Sequence, residues 1–175
     1  MDLKSLIRSI PDHPKPGILF RDITTLLRHP EGFGESIDRL AERYHSRGIT
    51  RLAGIESRGF IIGAALAMRL GAGFIPIRKL GKLPAATISR SYELEYGSDH
   101  VEMHADAIER GERVLLVDDL IATGGTAEAA AQLICDAGGQ IIECAFVIEL
   151  PDLGGRGRLE KMGIGVHALM TFAGH

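Results

Sequence analysis

Several residue types are scarce or absent in this chain of 175 residues, and each absence excludes a class of protein. There is no asparagine, so asparagine-linked glycosylation has no acceptor. The two cysteines, Cys135 and Cys144, form no Cys-x-x-Cys pair, and their surroundings predict buried, reduced thiols. The 20 basic and 23 acidic residues give a formal charge of −3, which argues against a nucleic-acid-binding surface.

Long apolar runs are missing as well. Residues 59–77 are mostly apolar, but Arg69, Gly71 and Gly73 divide them into pieces too short for a membrane span. The first eight residues are too polar for a signal peptide. We therefore expect a cytoplasmic protein without a membrane partner, and the length fits a single domain over residues 1–175.

The apolar pattern alternates between strands and helices, which predicts an α/β fold with a mostly parallel sheet flanked by helices. Two strand–helix–strand units are expected, at Leu52–Ile55, Gly59–Leu70 and Gly73–Ile77, and again at Val114–Val117, Gly125–Ala137 and Ile141–Leu150. Residues 31–48 predict an amphipathic helix, and residues 164–172 a last strand. Residues 1–30 form an N-terminal hood in this interpretation. The polar residues 78–106 contain a protruding hairpin, which we interpret as a flexible lid.

The segment Val114–Thr126 is the most informative part of the chain. Its apolar residues predict a strand buried on both faces, and we expect that strand to end at the adjacent carboxylates Asp118 and Asp119. Residues 122–126, Ala-Thr-Gly-Gly-Thr, then bring five backbone N–H groups, two hydroxyls and the start of a helix, a combination suited to binding phosphate. Because carboxylates repel phosphate oxygens, the two acids indicate a ligand that also carries ribose hydroxyls or magnesium.

A second turn follows the first predicted strand. It places Glu56, Ser57 and Arg58 at the carboxyl end of a parallel strand, which is where such sheets bind ligands. A guanidinium at this position can bind a diphosphate through two hydrogen bonds, and the start of the next helix adds N–H groups. The turn is therefore a second expected anion site.

Three cations, Arg78, Lys79 and Lys82, precede the predicted hairpin. Taken alone they describe a solvated run of charge. Next to an anion site they can also stabilise the negative charge that develops on a diphosphate leaving group. On the far side of the same excursion, Glu95 is a single acid suited to transferring a proton of a base.

Near the N-terminus, the segment Pro16–Asp22 carries an aromatic ring, Phe20, and free backbone polar groups. A purine needs a flat apolar contact and hydrogen bonds to its edge. This segment is therefore the expected site of a base.

The order of strand, paired acids, spacer and Thr-Gly-Gly-Thr loop resembles the motif for 5-phosphoribosyl 1-diphosphate (PRPP) of the type I phosphoribosyltransferases. From about residue 11 to the C-terminus, the segments together resemble the members of that family that act on adenine. The resemblance implies the family's fold, a homodimer, and the reaction of adenine with PRPP to give AMP and diphosphate. It also implies a magnesium ion held mainly by substrate oxygens, with no protein metal site.

The resemblance implies a role for each motif residue. At the sugar phosphate we expect Asp118, Asp119, Ala122, Thr123, Gly124, Gly125 and Thr126; at the diphosphate Glu56, Ser57, Arg58, Arg78, Lys79 and Lys82; at adenine Leu19, Phe20 and Arg21. Phe20 would stack on the base while the main chain at Leu19 and Arg21 reads its edge. Glu95 is the expected general acid or base, and Arg78 is expected to reach a neighbouring subunit's site. By the same resemblance, the peptide bond between Glu56 and Ser57 is expected to be cis.

Two other functions stay open at this point. The motif of residues 114–126 indicates the sugar phosphate and not the base, so a type I enzyme for hypoxanthine, guanine, xanthine or orotate is an alternative. The Ala-Thr-Gly-Gly-Thr loop argues against the enzymes of 6-oxopurines, whose loop is commonly similar to Asp-Thr-Gly-Lys-Thr. A PRPP-sensing regulator that does not catalyse is the second alternative, although such a protein normally carries an added DNA-binding domain.

Overall fold

The computed structural model of the protein describes residues 1–94 and 96–174. Its strands are β1 (Arg8–Ile10), β2 (Phe20–Asp22), β3 (Arg51–Ile55), β4 (Gly73–Lys79), β5 (Thr87–Glu93), β6 (Ser98–His104), β7 (Arg113–Ile121), β8 (Gln140–Glu149) and β9 (Val166–Thr171). Its α-helices are α1 (Thr24–Leu27), α2 (Pro30–Tyr44), α3 (Arg58–Leu70), α4 (Gly125–Asp136) and α5 (Gly155–Glu160). Short 3-10 helices lie at Leu3–Leu6 and Pro151–Leu153.

Seven of these strands form one sheet, in the order β5–β6–β4–β3–β7–β8–β9. The five strands from β4 to β9 in that order are parallel, whereas β6 is antiparallel to β4 and β5 is antiparallel to β6. Helices α3 and α4 connect parallel neighbours, as the alternating apolar pattern predicts. The predicted α/β fold with a mostly parallel sheet is confirmed.

Strand β7 is longer than the sequence pattern predicted. Its pairing with β3 stops at Val117, opposite Gly54, but its pairing with β8 continues through Asp118 to Ile121. The prediction that the strand ends at the acids is therefore wrong. Backbone hydrogen bonds to β8 keep this part of β7 extended, although its side chains are no longer all apolar.

The central strands separate two apolar cores, one on each face of the sheet. Because successive side chains of a strand point to opposite faces, Ala53 and Ile55 of β3 pack in the core with α4 and α5, while Leu52 packs with α2 and α3. Packing against both cores holds the central strands in place. The polar side chains that follow these strands, such as Asp118 and Asp119, belong to neither core and lie at the carboxyl edge of the sheet.

The N-terminal hood is a small sheet of its own. Strands β1 and β2 are antiparallel, with Ile10 opposite Phe20, and within the described residues they form a two-stranded sheet separate from the main one. Leu3, Ile23 and Leu26 of this region are buried in the core of α2 and α3. These apolar side chains anchor the hood on helices α2 and α3. Strand β2 therefore lies next to the carboxyl ends of the main sheet's strands.

The predicted hairpin of residues 78–106 is present, and its base joins the main sheet. Strand β6 pairs with β4 at Lys79 and Val101, and Val101 and Met103 are buried in the core beneath α4. The outer pairs of the hairpin, from Ser91–His100 to Glu93–Ser98, lie beyond Lys79, the last residue of β4, so only the base of the hairpin forms the edge of the sheet. Closure of residues 78–106 over a ligand stays a prediction.

The two cysteines differ in their surroundings. Cys144 in β8 is buried, as predicted, whereas Cys135 is exposed on α4, so the prediction of burial is wrong for that residue. Position 135 falls on the outer side of the helix, where the alanine-rich sequence gives only a weak pattern. Among the helices in the described part of the chain, none combines the length and apolarity that crossing a membrane requires.

Leu40 on α2 offers a test of the packing, because its side chain is fully buried in the core beneath the sheet. We expect Leu40→Ala to lower the free energy of unfolding by about 2–5 kcal/mol, measured by urea denaturation. Glu42→Ala, at an exposed position of the same helix, is the matched control and should change it by less than about 0.5 kcal/mol. Equal effects of the two changes would contradict the described packing of α2.

Candidate active site

A cleft of about 520 Å³ lies between the carboxyl edge of the sheet and the hood. It brings together most of the residues predicted from the motifs. Those that line it are Leu19, Phe20, Arg21, Glu56, Ser57, Arg58, Lys79, Asp118, Asp119, Ala122 and Thr126. The predicted residues come from four separate segments of sequence, and the fold joins three of them because they follow neighbouring strands.

The paired acids lie where β7 extends beyond β3. Asp119 is buried, and its carboxylate accepts a hydrogen bond from Arg58 Nε at 2.6 Å. Asp118 lies deep in the protein but is partly exposed to the cleft, and its Oδ1 accepts the backbone N–H of Asp119 at 2.8 Å. Desolvation and then the neighbouring charge of Asp119 raise the pKa of Asp118 well above its usual value.

The loop after β7 forms a small pocket of about 150 Å³ that adjoins the cleft. Its lining includes Asp118 and all of the predicted phosphate-binding residues, namely Ala122, Thr123, Gly124, Gly125 and Thr126. Helix α4 begins at Gly125, so its first N–H groups lie at this pocket. Gly124 has φ +85°, and a Cβ there would lie only 2.9 Å from the Cα of Gly155, so both the conformation and the space require glycine.

The turn after β3 has the predicted unusual backbone. The peptide bond between Glu56 and Ser57 is cis, which confirms the expectation for this bond. Helix α3 then starts at Arg58 and passes very close to β7, since a Cβ on Gly59 would lie 2.8 Å from Asp118 Oδ1. The glycine therefore allows the turn and the paired acids to share one wall of the cleft.

The predicted cations are not all at the cleft. Lys79 lines it, but Arg78 and Lys82 do not, and both bind the carboxylate of Glu56, at 3.2 Å from Nε and 3.0 Å from Nζ. The backbone N–H of Lys79 donates to the same carboxylate at 2.8 Å. Burial favours the neutral acid, yet these hydrogen bonds and charges outweigh it and lower the pKa of Glu56. Glu56 thus connects the cations to the cleft.

The predicted base segment lies on the opposite wall, in strand β2 and just before it. The Phe20 ring faces Arg58, whose guanidinium carbon is 5.8 Å from the ring centroid. The side chain of Arg21 is bound elsewhere, with Nη1 donating to Ser9 Oγ at 2.6 Å and its guanidinium 4.3 Å from the Phe172 ring. The side chain of Arg21 is thus engaged by Ser9 and Phe172, and contact of its main chain with a base stays a prediction.

Glu95, the predicted acid or base, lies outside the described residues. The motifs also missed part of the cleft wall, which includes Ile18, Ile55, Tyr92, Val101, Leu120, Leu150 and Leu153. Most of these are apolar residues at the ends of strands and in loops, where a sequence pattern cannot distinguish the core from a cleft wall. Tyr92 had no signal beyond its place in a predicted hairpin strand.

The chain is similar in sequence to known proteins. The model of the phosphoribosyl transferase domain family matches residues 22–162. Adenine phosphoribosyltransferases of Nitrosospira multiformis and Parvibaculum lavamentivorans are 62% and 60% identical over 175 residues, covering 100% of both chains in each pair. The chain therefore belongs to the phosphoribosyltransferase family.

Solved structures agree with that assignment. The crystal structure of adenine phosphoribosyltransferase from Rhodothermus marinus superposes with a TM-score of 0.92 and is 54% identical, covering 97% of this chain and 96% of that one. The enzyme from Saccharomyces cerevisiae, complexed with an imino-altritol bisphosphate and adenine, has a TM-score of 0.91 and 42% identity, with 97% of each chain covered. Within the family, the chain falls among the adenine phosphoribosyltransferases.

The raised pKa of Asp118 gives a testable dependence of stability on pH. Below the usual value of 3.8 the group is protonated in both folded and unfolded chains, and stability is lost as the pH rises through the higher folded value. We expect Asp118→Asn to raise the free energy of unfolding by about 0.5–2 kcal/mol at pH 7.5 and to have little effect at pH 3.5, measured by urea denaturation. Asp106→Asn, at an exposed position, is the control. A loss of stability in Asp118→Asn at pH 7.5 would contradict the assignment.

Proposed function

We propose that this protein transfers the 5-phosphoribosyl group of PRPP to adenine and so makes AMP and diphosphate in purine salvage. The observation that carries the proposal is the cleft itself, whose volume is about 520 Å³. Its lining includes the paired acids, residues of the proposed phosphate loop and an aromatic ring. The names of the relatives, at up to 62% identity over the whole chain, support adenine as the base.

The phosphate loop and the acids are proposed to hold the ribose 5-phosphate. Backbone N–H groups of residues 122–126 bind the phosphate at the start of α4, where the helix dipole favours an anion. Asp118 and Asp119 lie directly beside this pocket, and their carboxylates accept hydrogen bonds from the ribose 2′- and 3′-hydroxyls. A ligand that presents both a phosphate and a diol satisfies both groups.

The diphosphate of PRPP is proposed to lie against Arg58, Lys79 and the turn at Ser57. Arg58 and Lys79 are cations of the cleft wall, and both can stabilise the charge that develops on the leaving group. Arg78 and Lys82 are a step away, bound to Glu56. Their predicted contact with diphosphate requires them to leave that carboxylate, which is the change that we propose for closure of the lid.

Adenine is proposed to stack on Phe20. The ring lies on the hood wall of the cleft and contacts His13, whose ring is nearly perpendicular to it with the two ring centroids 5.1 Å apart. The main chain at Leu19 and Arg21 flanks the ring and supplies a donor and an acceptor for the edge of the base. This arrangement would present N9 of adenine to the ribose in the middle of the cleft.

Magnesium is proposed to enter with the substrate. In the part of the chain that the structure describes, no group of three or more His, Cys, Asp or Glu side chains could hold a metal ion by itself. The two carboxylates of residues 118 and 119 fit a magnesium that takes most of its ligands from phosphate and ribose oxygens and from water. When bound, the ion neutralises charge on the diphosphate.

In the proposed reaction, N9 of adenine attacks C1′ of the ribose as the bond from C1′ to the diphosphate oxygen breaks, with inversion at C1′. The protein mainly positions the two substrates and stabilises charge on the leaving group. Closure of residues 78–106 excludes water, which otherwise competes with adenine for C1′. Glu95 is proposed to transfer the proton of the base.

A homodimer is also proposed. Helix α3 exposes two apolar side chains, Ile61 and Met68, which are 44% and 84% exposed, and exposed apolar patches mark sites of association. The guanidinium of Arg78 lies 5.7 Å from the ring of Phe60 on the same helix. A partner that covered Ile61 and also reached the adjacent Phe60 would lie beside Arg78, which fits its predicted role in a neighbouring subunit's site. The cytoplasmic location stays a prediction of the sequence.

The choice of base is tested by competition. The purified protein is incubated with magnesium, PRPP and radiolabelled adenine, and unlabelled hypoxanthine, guanine, xanthine or orotate is added in excess. We expect labelled AMP to form and the other bases to reduce it by less than about twofold, because Phe20 and its flanking main chain read the edge of adenine. Preferred turnover of hypoxanthine or orotate would replace the adenine assignment. Binding of PRPP without turnover of any base would instead support a regulator.

The role of Glu95 is tested by Glu95→Gln, which keeps the size of the side chain and removes its charge. We expect kcat to fall about 10²- to 10⁴-fold while the affinity for PRPP changes little, since proton transfer contributes a factor of this size. Rates and PRPP binding are measured separately, by turnover and by calorimetry. The exposed Glu42→Gln serves as a control for the loss of one carboxylate. Unchanged turnover in Glu95→Gln would remove its catalytic role.

A further inference from the structure

One cation of the cleft, Lys79, is held by two residues to which no role has been given. Its Nζ donates to Tyr92 Oη at 2.7 Å and to Asp99 Oδ2 at 2.7 Å. Tyr92 Oη also lies 3.4 Å from the same carboxylate oxygen. The two partners face each other across the β5–β6 hairpin, where Tyr92 is directly opposite Asp99. We call this set of Lys79, Tyr92 and Asp99 the lysine cradle.

Two of the three cradle residues belong to the cleft wall, and all three lie on paired strands. Lys79 and Tyr92 both line the cleft. Tyr92 is only 9% exposed, and its ring packs in the core with Val101, which is 1% exposed. Because β6 also pairs with β4 beside Lys79, the backbones of all three cradle residues are fixed relative to one another.

A lysine is a flexible side chain, and its ammonium has three donors. In the cradle two of these donors are used, one by a hydroxyl and one by a carboxylate, which leaves a third for a ligand oxygen. The bond to Asp99 and then the bond to Tyr92 raise the pKa of Lys79, so its charge is retained. Holding a flexible cation in place before the ligand arrives reduces the entropy lost on binding.

We propose that Tyr92 and Asp99 are positioning residues, which hold the ammonium of Lys79 at the cleft wall so that it binds the diphosphate group of the substrate. This inference rests on the proposed function, because it assumes that the cleft binds diphosphate. It goes further, since it gives a role to two hairpin residues that need not touch the substrate. Pairing of the hairpin with the sheet contributes to this role, because it holds the backbone of Tyr92 in strand β5 near Lys79.

The test is a double-mutant cycle on diphosphate affinity. Inorganic diphosphate is titrated by calorimetry, at a constant excess of magnesium, into the full-length protein and into Tyr92→Phe, Lys79→Met and the double variant. Tyr92→Phe removes one hydroxyl and keeps the buried ring. We expect it to weaken diphosphate binding about tenfold, because hydrogen bonds to charged groups contribute this much or more. In the Lys79→Met background the same change should weaken binding by less than twofold, since the group that Tyr92 positions is gone.

A matched control separates positioning from general stability. Tyr44 is also a buried tyrosine that donates to a carboxylate, with Oη 2.6 Å from Glu143 Oε1, but it does not line the cleft. Tyr44→Phe should lower the midpoint of thermal unfolding and change diphosphate affinity by less than twofold. If it weakens binding as much as Tyr92→Phe does, the effect comes from general destabilisation and the proposal is overturned.

Two further outcomes are distinguishable. Equal losses on Tyr92→Phe in the presence and absence of Lys79 would show that the tyrosine does not act through the lysine, which overturns the cradle but not the proposed function. If the unmodified protein binds no diphosphate, the proposed diphosphate site is wrong, and the cradle is overturned with it. A tenfold loss that disappears in the Lys79→Met background supports the cradle.

Discussion

The site depends on a difference in length between two neighbouring strands. Strand β7 continues to Ile121 beside β8, whereas its pairing with β3 ends at Val117. Asp118 and Asp119 are therefore no longer paired with β3, although pairing with β8 still holds their backbone. The turn after β3 can approach them on the side where β3 has ended. Two adjacent carboxylates inside a protein are costly unless they are compensated, and Arg58 from that turn supplies the charge for Asp119.

The same pairing of acids with cations recurs around the cleft. Arg58 binds Asp119, Lys79 binds Asp99, and Glu56 holds the cations of the following segment. In the described residues, every buried side-chain nitrogen or oxygen has a hydrogen-bond partner. The two cations of the cleft wall, Arg58 and Lys79, are thus kept in place by protein acids before any ligand arrives. A substrate with several negative charges must compete with these acids, and the fixed positions of Arg58 and Lys79 reduce the reorganisation that accompanies the reaction.

Much of the fold and most of the cleft could be predicted from local patterns. Buried parallel strands are near-continuous apolar runs, so β3, β7 and β8 were recognisable, and glycines marked the loop at residues 122–126. The cis bond between Glu56 and Ser57 was predicted from a family resemblance and is present. The length of β7 was not predicted, because hydrogen bonds to a neighbouring strand keep it extended and leave no signal in its own side chains.

The sequence by itself determined which chemical groups the site contains, because each motif carries its own acids, cations, glycines or aromatic ring over a few residues. Only the tertiary structure decided how these groups are paired. Arg78 and Lys82 are bound to Glu56, away from the cleft wall, and Tyr92 joins Lys79 across the edge of the sheet. These contacts connect residues 13 to 26 positions apart, and their distances follow from strand order and register, which a local pattern does not encode.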